Sequence, residues 1–110
     1  MLVEELDNKI KELECAIRRM KDNGIALAQA EHDYKVAQSK EELRMRDAGL
    51  PVTILGDVVR GLPTIADLRQ NRDIAQVCYE ASKENINALK LQIRILQNQI
   101  SMEWGYAKYE

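Results

Sequence analysis

Residues 79–100 read YEASKENINALKLQIRILQNQI, and their spacing decides the fold. Tyr79, Ser82, Ile86, Leu89, Ile93, Leu96 and Ile100 recur at alternating intervals of three and four. That is the heptad rhythm of a helix packed along one seam against another helix. No Gly or Pro interrupts the chain between Ile65 and Trp104, so the spacing predicts one helix over about 65–107. At 1.5 Å per residue it is on the order of 60 Å long. The same rhythm recurs before it. Leu6, Ile10, Leu13, Ile17 and Met20 step by 4, 3, 4, 3, and Leu27, Ala30, Tyr34 and Ala37 resume it after Asn23-Gly24. This predicts a first helix over about 3–48. Gly inside a helix costs about 1 kcal/mol relative to Ala, so residues 22–25 are either kinked or a place where a partner helix packs close.

Gly49 and Pro51 stop the first helix. Between Pro51 and Gly61 the run VTILGDVVR is rich in β-branched residues. A lone strand would have no pairing partner, so a short helix over about 53–60 is expected. Thr53 would be its N-cap, and Leu55, Val58 and Val59 would share one side. Thr64, with Asp67 three residues on, is the expected cap of the last helix. The fold class is therefore all-α: a coiled-coil-like antiparallel hairpin of two long helices with a short helix at its tip, spanning 1–110 as one domain. With the turn centred near residue 56, residues whose numbers sum to about 112 would lie side by side. Cys15 would then sit near Gln97 and Cys78 near Tyr34, too far apart for a disulfide, and both thiols would be reduced and packed.

The last helix carries more apolar surface than one partner covers. Beside its main seam run Ile74, Cys78, Ala81, Ala88, Leu91, Ile95 and Met102. A second stripe asks for a further helix. Two hairpins related by a two-fold axis would supply it as a four-helix bundle, with Ala88, Leu91, Ile95 and Met102 in the homodimer interface; another protein bound on that face is the alternative.

Composition narrows the function. The 110 residues hold 16 Lys plus Arg against 18 Asp plus Glu, a net charge of -2. No run of bases goes unanswered by acids, so a basic nucleic-acid arm is absent. No stretch reaches the roughly 20 apolar residues of a membrane span. The start, MLVEELDNKIKELE, has acids where a signal peptide has bases, and a cytoplasmic protein is expected. His32 is the single histidine, and Cys15 and Cys78 form no CxxC pair. Neither a metal site nor a cofactor is expected. Without a phosphate loop, a Glu-x-x-His motif or a Cys-His pairing, no enzyme is expected either. Met45 and Met102 read as packing residues.

Two surfaces stand out as partner sites. Around the tip, Arg44, Arg46, Arg60, Arg69 and Arg72 face Glu41, Glu42, Asp47, Asp57, Asp67 and Asp73. Asp57, Arg60, Arg69 and Arg72 are the candidates for a partner-binding or ion-pairing cluster there. A short helix, a turn and a long helix faintly resemble a helix-turn-helix, and a DNA-binding regulator is the alternative reading. Phosphate binding needs an excess of cations that this tip lacks. The second surface is aromatic: Trp104, Tyr106 and Tyr109 would either pack on Leu2, Val3 and Leu6 or dock a partner.

The stretch from Tyr34 to Trp104, about two thirds of the chain, resembles small all-helical proteins encoded in phages and prophages of Gram-positive bacteria. The likeness is carried by GLPVTILGDVVRG at 49–61 and by LRQNRDIAQVCYEASKENINALKLQIRILQNQISMEW at 68–104. After Arg60 this chain has Gly-Leu-Pro-Thr where the family pattern has a more acidic link. The resemblance implies a phage accessory protein made in the host cytoplasm. It would act by binding another protein, of the host or of the phage, either to modulate or inhibit a host system or as an assembly or recombination accessory. It implies no activity.

Overall fold

The structure is a computed structural model that describes the backbone of residues 1–109 and the side chains of residues 1–105. It is all-helical among the described residues, with α1 at Leu2–Asp47, α2 at Val52–Arg60 and α3 at Pro63–Tyr109. Two compact units form: Asn23–Tyr79, and residues 1–22 together with 80–110. Inside each, the segments of α1 and α3 run antiparallel.

The sequence explains each helix end. α1 opens with Glu4 and Glu5 and closes with Arg44 and Arg46, charges that suit its dipole. The Gly49 N–H donates to the Arg46 carbonyl and the Leu50 N–H to the Met45 carbonyl, both at 3.0 Å. With Gly49 at φ 95, this is the glycine-terminated Schellman turn, which satisfies carbonyls the helix would otherwise leave open. The expected caps of the other two helices are corrected. α2 is capped by Pro51 with no side-chain hydrogen bond, so Thr53 lies inside its first turn. α3 starts at Pro63, and the Leu62 carbonyl accepts the first helical bond from Ala66 at 2.8 Å. Proline fits the first helical position because its missing N–H has no partner there and its φ is already helical.

In the unit Asn23–Tyr79, all three helices share one core. Tyr34 of α1, Leu55 and Val59 of α2, and Ile65 of α3 are buried together. Met45 and Leu50 from the Schellman turn pack on them, with Ala37, Leu62 and Leu68. The guanidinium of Arg72 stacks 4.8 Å over the Tyr34 ring, a cation–π contact. Val58, expected to share the inner side of α2 with Leu55 and Val59, is exposed. At 100° per residue it lies one step round from Val59.

The pairing register also differs from the expectation. Asn23 Nδ2 donates to the Cys78 carbonyl at 3.4 Å, and a Cβ on Gly24 would meet the Tyr79 ring at 3.3 Å. The paired numbers sum to about 102, not about 112. The cause is α2. Its buried face, with Met45 and Leu50 against it, occupies the last two turns of α1, so α3 begins pairing only further back along that helix. Cys78 therefore lies beside Asn23 rather than Tyr34.

Asn23-Gly24 makes no kink: α1 is continuous through it. The glycine leaves room for the Tyr79 ring. Gly24→Leu should destabilise the protein by about 1–3 kcal/mol in denaturant titration, as overpacked sites do. A Leu variant as stable as the parent would show that the ring's approach is not what requires glycine.

In the other unit, Ala16, Ile86 and Leu89 form the core, with Leu13 and Met20 against them, and Leu96 is also buried. Cys15 shares a groove with Asn85 and Leu89, not with Gln97. The seam of α3 is the expected one. That of α1 is kept at Leu6, Leu13 and Met20 but not at Ile10 and Ile17, which are exposed; the inward positions beside those two are partly buried Lys9 and buried Ala16.

Candidate interaction surface

The tip residues do not gather into one cluster. Arg60 Nη2 donates to Asp57 Oδ1 at 2.6 Å, one turn apart on α2, with both side chains largely exposed. Arg72 is half-buried between the Tyr34 ring and Asp73, to whose Oδ1 it donates from Nε at 3.1 Å and Nη2 at 2.9 Å. Arg69 is half-buried on the same helix. Arg44 grips Glu41 through Nε and Nη2, at 2.9 and 2.7 Å. Three of the five tip arginines thus already hold a carboxylate, so the tip presents little unbalanced positive charge to a phosphate backbone.

Exposed pairs one turn apart contribute about 0–1 kcal/mol. Arg60→Ala should therefore lower stability by less than about 1 kcal/mol. A thermal melt showing a much larger loss would reveal a cooperative network at the tip instead of an isolated pair.

The residues expected at an oligomer interface do lie together. In the unit that holds residues 80–110, Ala88, Leu91, Ile95 and Met102 are exposed along α3, with Leu91 55%, Ile95 48% and Met102 61% accessible. They sit on a face about 100° wide, opposite the Ile86, Leu89 and Leu96 seam. Ten residues of this face between Ala81 and Met102 are exposed, and Glu84 is the single charge among them. The chain as a whole is 31% charged. A solvated helix face ordinarily carries mixed charge, so a nearly uncharged one is an outlier in this sequence.

Separately, in the unit Asn23–Tyr79, Ile74 (55%) and Val77 (68%) are exposed on α3 beside Asp73 and Cys78. Val77 escaped the sequence reading, although its spacing of three from Ile74 was a signal. On α2, Val52, Ile54 and Val58 are also exposed.

Neither Cys15 nor Cys78 forms a disulfide, and both are exposed, which corrects the expectation of packed thiols. They stand outside the heptad seams, and Cys15 Sγ accepts a hydrogen bond from Arg18 Nη2 at 3.2 Å. His32 is exposed, its Nδ1 3.4 Å from Asp33 Oδ1. Among the described residues, no group of three or more His, Cys, Asp or Glu comes together as metal ligands do. Nor is any helix long and apolar enough to cross a membrane. Trp104 is 73% exposed. The side chains of Tyr106 and Tyr109 lie outside the described residues. The chain matches no family model, and no curated protein or solved structure is detectably similar to it.

Proposed function

We propose that this protein works by protein–protein association, with a second copy of itself bound along the outer face of α3. The observation that carries the reading is the exposed, nearly uncharged line of Ala88, Leu91, Ile95 and Met102. Magnitudes set the kind of dimer. Fully burying an aliphatic side chain is worth about 1.5–3 kcal/mol. Leu91, Ile95 and Met102 are each about half exposed, so six such side chains in a dimer contribute roughly 5–9 kcal/mol. Association itself costs at least about 4 kcal/mol. The dimer is therefore weak and concentration-dependent, assembling four helices from the paired segments of two copies.

The resemblance of residues 34–104 to phage-encoded proteins supplies the setting. The dimer is an accessory protein in the host cytoplasm that binds a protein of the host or the phage and performs no catalysis. Light scattering coupled to size exclusion tests the association. A weight-average mass rising clearly above 12.6 kDa is expected as the protein reaches the order of 1 mM. A constant mass of one chain up to that concentration overturns the dimer.

A further inference from the structure

We infer that the second copy lies antiparallel on α3, about a two-fold axis that passes beside Leu91; this rests on the dimer reading above. The argument is one of size and charge matching. Down the centre of the exposed face, at seven-residue spacing, stand Ala81, Ala88, Ile95 and Met102. Two small residues are followed by two large ones. A parallel, in-register partner would set alanine on alanine at one end and isoleucine on isoleucine at the other. The interaxial distance follows the side chains at the contact, so such helices would splay. An antiparallel partner sets Ala88 against Ile95 and Ala81 against Met102, each numbered pair summing to 183, and the spacing is even along the whole contact.

The flanking positions agree with the same axis. On one side of the central line lie Glu84, Leu91 and Asn98. Under the two-fold operation Leu91 meets its own copy, and Glu84 meets Asn98, whose amide can donate to the carboxylate. In a parallel two-fold pair the flanking lines would cross over, setting Glu84, Leu91 and Asn98 against Asn85, Gln92 and Gln99 of the copy, so that Leu91 would meet amides. On the other side lie Asn85, Gln92 and Gln99. Gln92 then meets its own copy and Asn85 meets Gln99, so amides pair with amides, each both donor and acceptor. One axis thus satisfies all three lines of the face. An isologous contact requires this self-complementarity, and a foreign helix has no reason to match it.

The experiment is disulfide trapping in the full chain, with Cys15→Ser and Cys78→Ser removing the native thiols. Leu91→Cys alone should form a covalent dimer under mild oxidation. Ala88→Cys alone and Ile95→Cys alone should not, because each would lie about 10 Å along the axis from its own copy, beyond the roughly 4.4–6.8 Å that a disulfide spans between Cα atoms. Mixing those two variants should raise the cross-linked yield at least several-fold over either alone. If Ala88→Cys and Ile95→Cys each cross-link to themselves, or if Leu91→Cys does not while the mass remains that of a dimer, the antiparallel register is overturned and the dimer stands. A single-chain mass for the uncross-linked parent overturns the dimer and the register together.

Discussion

Val59→Asp should detach α2 and remove its hydrogen-exchange protection, leaving the backbone amides of 52–60 exchanging like those of an unfolded peptide. Nine residues cannot hold a helix in water by themselves, because the cost of nucleation exceeds what so few hydrogen bonds return. What holds α2 is its buried side: Val59 is 0% and Leu55 9% accessible, both set against Tyr34 and Ile65. Burying those two side chains is worth about 3–6 kcal/mol together. An aspartate in the place of Val59 would have to be buried without a described counter-charge beside it, or else leave the core. Leaving is the cheaper course, and it takes Leu55 along. The loss is therefore bounded by the docking of α2, about 3–6 kcal/mol, a large share of the stability of a small protein. Val59→Ala, which removes only volume, should cost less and retain protection. Unchanged exchange over 52–60 in the aspartate variant would mean that α2 is held by something other than this core.

The same helix explains what the sequence conceals. The α3 seam from Tyr79 to Ile100 is legible because nearly every seam position is a large apolar residue and the three-and-four spacing is unbroken along it. In α1 the same spacing misleads in part. Ile10 and Ile17 are the larger side chains and keep the three-and-four spacing, yet Ala16 is the buried one. The partner decides this: Ile86 and Leu89 fill the space from the α3 side, and only a small residue fits opposite them. Size complementarity between helices is a property of the pair, and a single helix's periodicity does not contain it. Register failed for a related reason. Counting residues about a central turn treats α2 as a connector of no width, whereas it packs along the end of α1 and displaces the start of α3. The cap positions had a usable signal. Pro63 marks a first helical position more strongly than Thr64 marks a cap.

The candidate surfaces were legible to different degrees. Local chemistry is readable, so the Asp57–Arg60 pair at one-turn spacing was foreseeable. Arg72 was not, because its stacking on Tyr34 joins residues from two helices whose register was misjudged. The exposed stripe on α3 was legible because it needs only one helix: a second apolar line at a fixed angle from the first cannot be covered by the same neighbour.

That stripe carries the other large effect. Leu91→Glu combined with Ile95→Glu should abolish self-association, weakening it at least 100-fold, while leaving each chain folded. The two halves of this expectation rest on one observation, that Leu91 and Ile95 are 55% and 48% accessible in the single chain. Residues so exposed contribute little to the fold of one chain, and surface substitutions usually change stability by no more than about 0.5 kcal/mol each. In the dimer they occupy its centre, where a glutamate would be desolvated without a cation opposite, at about 1–3 kcal/mol or more for each unpaired group. Two substitutions on each of two copies put four such groups into one interface, and a factor of 100 needs only about 2.7 kcal/mol. Scattering mass should therefore stay at one chain at the highest concentration reached. Helical content by circular dichroism should match that of the parent diluted until it is monomeric. If the double variant loses its helicity, the stripe supports the fold of the single chain and is not a free surface. If it remains as associated as the parent, the contact lies elsewhere, and the exposed Val52, Ile54 and Val58 of α2 become the next face to substitute.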